Sequence, residues 1–166
     1  KKEKDTKGRI SSDQMRDLLN KKAGAMVAYS LEETNPTDVD DWIPTGSRWL
    51  DSVICRGKLA GIPMGKIVEL AGLEAAGKSY MAAQIAANAQ KKGVDVIYFD
   101  SESAIASDFM TNVGVDISTL LYVQAKSVEF VLETVEELLA NNQNKMLFIW
   151  DSIAFTPTEK IGRAHV

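Results

Sequence analysis

The sequence has few of the residues that indicate a metal centre, a disulfide framework or a membrane segment. Its 166 residues include one cysteine, Cys55, and one histidine, His165, which exclude an internal disulfide and a Cys/His zinc site. No apolar run approaches the roughly 18 residues that span a bilayer, and the lysine-rich start lacks the hydrophobic stretch of a signal peptide. We therefore expect a protein of the reducing cytoplasm with no membrane contact.

A surplus of basic charge is also missing. The 19 lysines and arginines are outnumbered by 23 acidic residues, which gives a formal net charge of -4. A stand-alone binder of nucleic acid or of an anionic membrane needs a basic surface, so any contact with DNA must be local or lie elsewhere in the protein. Because 45% of the residues are hydrophobic, the chain can form the core of one compact domain.

Both ends of the sequence look incomplete or foreign. The chain begins with Lys1 rather than Met, so we expect residues to be missing upstream. The final hexapeptide, residues 161–166, is similar to one reading frame of a common sequencing adaptor, although an ordinary frayed terminus is the alternative. We expect a tail, helix and linker over 1–41, a core domain over 42–160 and a non-native tail over 161–166, where His165 is a poor candidate for chemistry.

The apolar pattern changes along the chain. Ser11 or Ser12 can cap a helix, a loop is expected over 31–41, and Ser47 can cap a short helix. From residue 66 onward, short apolar runs alternate with segments of helical length, which predicts a doubly wound α/β sheet. The predicted strands are 67–71, 94–100, 120–123 and 146–151, and the predicted helices between them are 78–92, 103–113 and 127–141.

The strongest motif is the octapeptide GLEAAGKS at residues 72–79, which fits the phosphate-loop pattern G-x-x-x-x-G-K-[ST] between a predicted strand and a predicted helix. Its glycines permit backbone geometries that turn N–H groups toward a phosphate chain, and the helix start adds partial positive charge. A glycine turn beside a surface lysine is the alternative. The residues expected to bind ATP phosphates are Gly72, Glu74, Ala75, Ala76, Gly77, Lys78 and Ser79, with the Ser79 hydroxyl also a ligand of Mg²⁺.

Two predicted strands end in carboxylates. The run 146–151 ends at Asp151, which has the form of a Walker B acid that supports magnesium. The run 94–100 is followed by Glu102, which could orient the water that attacks the γ-phosphate, but spacing alone does not choose between Glu102 and Asp100. Each acid could instead end a strand or cap a helix.

Several segments in order resemble the core ATPase domain of the RecA recombinase family, over about residues 43–160. The resemblance implies a P-loop NTPase fold, a three-layer α-β-α RecA-like core with a mainly parallel sheet, preceded by an N-terminal helix. The segments that carry it are Thr45-Gly46-Ser47, Leu50-Asp51, residues 61–69, the phosphate loop, residues 99–102, Gly114-Val115-Asp116 and Asp151-Ser152.

The resemblance also implies roles for individual residues. The family's catalytic glutamate falls on Glu102, its magnesium-supporting aspartate on Asp151, and its phosphate-loop positions on residues 74–79, with Lys78 as the catalytic lysine. It implies ATP and Mg²⁺ as cofactors and a helical filament of this protein with ATP between subunits. It further implies contacts with single-stranded and double-stranded DNA, and a role in homologous recombination and DNA repair.

The sequence departs from the family pattern at several sites. Leu73, Ala75 and Ala76 replace the usual Pro, Ser and Ser of the loop, while Ala106 and Phe109 replace an aspartate and a tyrosine near the adenine. Phosphate binding through backbone groups should survive these changes, whereas base selectivity is in doubt. In the family the DNA-binding loops and a phosphate-sensing glutamine follow the Walker B strand, so we expect residues 1–166 alone not to catalyse strand exchange. We expect them to bind nucleotide weakly at best, because they lack the later strands of the sheet and the neighbouring subunit.

Other functions share parts of this pattern. A hexameric helicase or another RecA-fold motor has the same loop and acids, although the stretch 61–69 favours the recombinase. A non-catalytic assembly protein switched by nucleotide is a third possibility, against which Glu102 argues. A small-molecule kinase is disfavoured because the sequence shows no lid or acceptor-site signature.

Overall fold

The structure is a computed structural model that describes residues 10–30, 32, 38–103 and 105–159. The expected tail over 161–166, and most of the loop expected over 31–41, lie outside the described residues. The chain divides into two compact units, Lys1–Asp40 and Asp41–Val166. Within the described residues, no helix combines the length and the apolar character needed to cross a bilayer.

The first unit contains one helix, α1 (Ser12–Ala23). Its start is a capping box, in which the Ser11 side chain accepts from the Gln14 N–H at 3.2 Å and the Gln14 side chain accepts from the Ser11 N–H at 2.9 Å. It ends at Gly24, whose φ of +66° is typical of a helix C-terminus. The helix and its Ser11 cap confirm the prediction from sequence.

The second unit alternates helices and strands in chain order. Three parallel strands form its main sheet in the order β4-β3-β5, and a two-stranded antiparallel pair, β1 and β2, stands apart from it. The elements are β1 (Trp42–Ile43), α2 (Arg48–Ile54), β2 (Ile62–Pro63), α3 (Lys78–Lys91), β3 (Asp95–Asp100), α4 (Ser107–Val113), β4 (Leu120–Gln124), α5 (Val128–Asn141), β5 (Met146–Asp151) and the short 3-10 helix η1 (Ile153–Phe155).

The central strand β3 is buried on both faces, which explains its continuous apolar run. Val96 and Tyr98 belong to a core cluster with α3 and α4, and the alanines of α3 let this helix approach the sheet closely. Ile97 and Phe99 belong to a second cluster that includes Val131 of α5. Helices therefore cover both faces of the sheet, and the predicted α/β layering is confirmed.

One predicted strand is wrong. Residues 67–71 form neither a helix nor a strand, and Ile67, Val68 and Leu70 are 103%, 45% and 39% exposed. A strand requires a hydrogen-bonded neighbour, and the three strands of the described sheet pair with one another rather than with this segment. An apolar run indicates a tendency toward burial but does not supply the neighbour.

The predicted helix over 103–113 begins later than expected, at Ser107. The Asp100 carboxylate accepts hydrogen bonds from the backbone N–H groups of Glu102, Ser103 and Ile105, at 2.9, 2.9 and 3.3 Å. These bonds hold the residues after β3 in a loop, because a short acidic side chain competes with the helical bonding pattern. The loop is a feature of the site described below.

Helix α2 begins at its predicted cap, where the Ser47 side chain accepts from the Leu50 N–H. The residue of α2 that is buried is an aspartate rather than an apolar side chain. Trp49 is 75% exposed, whereas Asp51 is 5% exposed and accepts from the Thr45 N–H and hydroxyl, at 2.9 and 2.7 Å. A buried carboxylate with two donors fixes the turn that leads from β1 into α2.

Among the described glycines, Gly61, just before β2, is the one at which an added Cβ would come closest to another atom. Its φ is +108°, and an added Cβ would lie 2.1 Å from the Ile43 carbonyl oxygen. Gly57 has a similar φ of +93°, but an added Cβ there would meet nothing within 4 Å. A comparison of alanine substitutions at these two glycines therefore separates the cost of backbone strain from the cost of steric overlap.

We expect Gly61→Ala to lower the free energy of unfolding by more than ~2 kcal/mol, since overlap with backbone adds to the left-handed strain. The control Gly57→Ala should lower it by ~1–2 kcal/mol through strain alone. Urea unfolding followed by circular dichroism measures both variants. Equal losses in the two variants would show that the approach of Gly61 to Ile43 is not a constraint.

Asp41 joins two elements at the end of the sheet where its strands begin. Its carboxylate forms ion pairs with Lys92, which follows α3, and with Lys145, which precedes β5, the latter at 2.7 Å. Hydrogen bonds from Lys145 and Lys92 lower the pKa of the Asp41 carboxyl well below its usual range. The carboxyl is therefore charged in the folded protein at pH values where an unfolded aspartate is already protonated.

The stability that Asp41 contributes should depend on pH in a defined direction. A lowered folded-state pKa stabilises the protein above the unfolded-state pKa of about 3.9, and this contribution is lost as the pH falls toward the folded-state value. Asp41→Asn should thus be less stable than wild type at about pH 7, by a margin that shrinks below about pH 4. Urea unfolding across this range, with the exposed neighbour Asp40→Asn as control, tests it; a margin independent of pH would contradict it.

Candidate functional site

The carboxyl ends of the three parallel strands meet at one edge of the sheet. Asp100 at the end of β3 is in register with Asp151 at the end of β5 and with Gln124 at the end of β4. The Ser101 N–H also donates to the Asp151 carbonyl at 3.0 Å, which extends this alignment past the strands. Ligands of open α/β sheets bind outside this edge, so the two acidic strand ends lie where a site is expected.

The glycine-rich loop ends where α3 begins. Gly77 caps α3 with a φ of +90°, and Ala75 adopts a φ of +56° that is unusual for a residue with a β-carbon. Gly72 does not have a positive φ, and an added Cβ there would make only an ordinary 3.6 Å contact with Ala76. The left-handed residues of the loop are therefore Ala75 and Gly77 rather than its two glycines. The start of α3 supplies partial positive charge beside the loop.

Lys78 is the first residue of α3, and its ammonium lies against the loop. Its Nζ donates to the carbonyl oxygens of Gly72 and Leu73, at 3.1 and 2.9 Å. These bonds bring a full positive charge to the loop that precedes the helix. The arrangement suits an anionic ligand, because loop amides, the helix start and an ammonium occupy one small region.

Ser79 connects α3 to the acidic edge of the sheet. Its hydroxyl donates to Asp151 Oδ2 at 2.6 Å, across 72 residues of sequence. The Tyr98 hydroxyl donates to the same oxygen at 2.9 Å. A half-buried carboxylate therefore accepts two hydroxyl donors from two different elements of the fold.

The two acids that follow β3 differ in their surroundings. Asp100 is 2% exposed, and besides its three backbone donors it accepts from the Tyr122 hydroxyl at 2.9 Å. Glu102 is exposed, and its own N–H is one of those donors. Asp100 thus holds the loop, while Glu102 is one of the residues that line the cleft beside it.

A cleft of about 390 Å³ opens at this edge, within the range of about 300–1,000 Å³ typical of small-molecule sites. It brings together Ser79, Glu102 and Asp151, three of the residues selected from sequence. Lys78 and the loop residues 72–77 are not among those that line it, although Ser79 follows them directly. The lining residues are Ser79, Asp100, Glu102, Ile105, Ala106, Phe109 and Asp151.

Two tyrosines at this edge were not selected from sequence. Tyr98 on β3 and Tyr122 on β4 are in register, so their side chains share a face of the sheet. Burial, followed by the negative charge of Asp151, raises the pKa of Tyr98, and burial together with the hydrogen bond to Asp100 raises the pKa of Tyr122. Both hydroxyls remain protonated donors at neutral pH. The signal in the sequence is the spacing of Tyr98, two residues before Asp100 on the same strand face.

The oxygen atoms around Ser79 fit a hard divalent cation. Mg²⁺ prefers oxygen ligands and is commonly bound through one or two carboxylates together with substrate phosphates. The Ser79 hydroxyl and the Asp151 carboxylate are oxygens of this kind, at hydrogen-bond distance from each other. No group of three or more His, Cys, Asp or Glu side chains in the described residues forms a metal cage of its own.

Fold and site together define an α/β protein in which a glycine-rich loop, a helix start and acidic strand ends lie at one edge of a parallel sheet. The chain belongs to the RecA family, since the family model described as the RecA N-terminal domain matches residues 12–164. This finding confirms the family and the RecA-like fold that the sequence resembles.

Curated relatives are similar over most of this chain. It is 34% identical over 154 residues to Protein RecA of Ruminococcus albus, covering 90% of this chain and 37% of the relative. It is 33% identical over 170 residues to Protein RecA of Bifidobacterium breve, covering 100% of this chain and 42% of the relative. Protein RecA of Wigglesworthia glossinidia brevipalpis is 33% identical over 145 residues, covering 87% and 43%. The chain thus spans about two fifths of the length of these relatives.

The contacts of Asp100 predict that it is required for folding more than for chemistry. Asp100→Ala would leave four donors without their acceptor, and we expect a loss of about 3 kcal/mol or more in the free energy of unfolding. Asp108→Ala, which removes an exposed aspartate in the first turn of α4, should cost under about 1 kcal/mol. Urea unfolding compares the two, and a loss at Asp100 no larger than that at Asp108 would contradict this role.

Proposed function

We propose that this chain is the nucleotide-binding N-terminal part of an ATP-dependent DNA recombinase. The proposal is supported by membership of the RecA family and by one observation of geometry. The hydroxyl of Ser79, at the end of the glycine-rich motif, lies 2.6 Å from the carboxylate of Asp151, and both border the cleft that contains Glu102. A phosphate-binding motif, a magnesium-supporting acid and a candidate catalytic acid thereby converge.

In this proposal the loop and the start of α3 bind the phosphates of ATP. Backbone N–H groups of residues 72–77 surround the phosphate chain, and Lys78 contributes a positive charge to the β and γ phosphates. Mg²⁺, when bound, neutralises charge on the transferring phosphoryl group. Ser79 offers its hydroxyl oxygen as a ligand, and Asp151 orients that hydroxyl by accepting a hydrogen bond from it.

Glu102 is the candidate base. Glu102 is exposed and lines the cleft, so its carboxylate can accept a proton from the attacking water or orient that water. The Asp100 carboxylate fixes the backbone of Glu102 through the 2.9 Å hydrogen bond to its N–H. Asp100 is already engaged by four donors, which favours Glu102 over Asp100 for this role.

The remaining parts of the proposal concern the whole protein. We propose that copies of it assemble into a filament with ATP at the subunit interface, in the cytoplasm. We propose that segments outside this chain bind single-stranded and double-stranded DNA, since the net charge of -4 provides no broad basic surface here. Homologous pairing and DNA repair would then depend on ATP binding and hydrolysis by the residues described above.

Glu102→Gln in the full-length protein tests the function. We expect ATP hydrolysis stimulated by single-stranded DNA to fall about 100-fold or more while nucleotide affinity is retained, because the amide cannot accept the proton. Glu133→Gln on α5 makes the same chemical change at an exposed site and should leave the rate unaltered. Hydrolysis by Glu102→Gln at the wild-type rate would instead support an assembly protein switched by nucleotide binding alone.

A further inference from the structure

We propose that Tyr98 is a positioning residue for magnesium binding, because its hydroxyl fixes the Asp151 carboxylate in the orientation that supports the metal. The inference rests on the proposed function, in which Asp151 belongs to the magnesium site. It adds a residue that neither the phosphate-loop motif nor the acidic strand end contains. Tyr98 itself would touch neither the metal nor the nucleotide.

Two hydroxyl groups hold the Asp151 carboxylate through one of its oxygens. Ser79 and Tyr98 both donate to Oδ2, at 2.6 and 2.9 Å. A carboxylate on a single hydrogen bond can rotate about its broad terminal torsion, whereas two donors from different directions restrict that rotation. Among the hydrogen bonds of the described residues, Oδ1 accepts none, so this second oxygen is left for the metal or for its water ligands.

The Tyr98 side chain is a rigid donor. Tyr98 is 0% exposed and belongs to the core cluster beneath α3, so its ring is fixed by packing from all sides. Ser79 lies in the first turn of α3, directly after the loop. The buried tyrosine therefore fixes the position of the carboxylate, while the serine hydroxyl must also serve as a ligand of the metal. Such outer hydrogen bonds orient metal ligands and typically change metal affinity by about 10–100-fold.

A purely structural reading is that Tyr98 only satisfies its own buried hydroxyl with the nearest acceptor. The neighbouring strand provides a matched comparison. Tyr122 is in register with Tyr98 and donates to Asp100 at 2.9 Å, but Asp100 retains three backbone donors when that hydroxyl is removed. Tyr98→Phe and Tyr122→Phe each remove one phenolic oxygen from the same face of the sheet, and only the first removes a donor to Asp151.

The experiment measures Mn²⁺ as a probe for Mg²⁺. The full-length protein is saturated with a non-hydrolysable ATP analogue, and free Mn²⁺ is followed by electron paramagnetic resonance. We expect Tyr98→Phe to weaken Mn²⁺ binding about 10-fold, with Tyr122→Phe equal to wild type. Affinity for the analogue in EDTA should be unchanged in Tyr98→Phe, which also shows that the variant is folded. Wild-type Mn²⁺ affinity in Tyr98→Phe, or an equal loss in Tyr122→Phe, would overturn the inference.

Asp151→Asn separates this inference from the proposed function. If Tyr98 acts through Asp151, adding Tyr98→Phe to Asp151→Asn should cause no further loss of Mn²⁺ affinity, and a further loss would contradict the inference. A loss in Asp151→Asn without one in Tyr98→Phe leaves the proposed function intact and removes the role of Tyr98. Failure of the wild type to bind the analogue, or of Asp151→Asn to affect Mn²⁺, would refute both.

Discussion

The site depends on one contact, the hydrogen bond between the Ser79 hydroxyl and the Asp151 carboxylate. It joins the first turn of α3 to the end of β5, and so fixes the glycine-rich loop relative to the acidic edge of the sheet. The contact is possible because β3 and β5 run parallel and in register, which brings Asp100 and Asp151 to the same edge. The small side chains of α3 pack against β3, and this packing sets how close the start of α3 lies to the sheet.

Much of the fold can be predicted from sequence, for a physical reason. A strand covered on both faces is apolar along its length, as β3 is, and the apolar runs of the less buried β4 and β5 also predict strands. The segment 67–71 is also mainly apolar, yet it is exposed and pairs with no strand of the described sheet. An apolar run indicates that a strand would be stable if it were covered and paired. It does not indicate whether a neighbouring strand is present to pair with it.

Site residues can be predicted from sequence when they belong to a motif, but not when their role depends on how the strands pair. Ser79 and Asp151 follow from their places in motifs, Glu102 follows from the family resemblance, and all three line one cleft. Tyr98 and Tyr122 were missed because their importance comes from diagonal contacts between strands, which require the pairing of β3 with its two neighbours. A structural role for Asp100 is expected from its place closer to the strand, but its three backbone donors come from a loop that the spacing does not reveal.

The central claim is that Ser79 and Asp151 support a metal ion beside a triphosphate bound to the glycine-rich loop. The most direct measurement is a crystal structure of the full-length protein with a non-hydrolysable ATP analogue, in which Mn²⁺ is located by its anomalous scattering. The account predicts one metal peak at about 2.1 Å from Ser79 Oγ, with Asp151 directly beside it. A metal or triphosphate found away from the carboxyl edge of the sheet would contradict it.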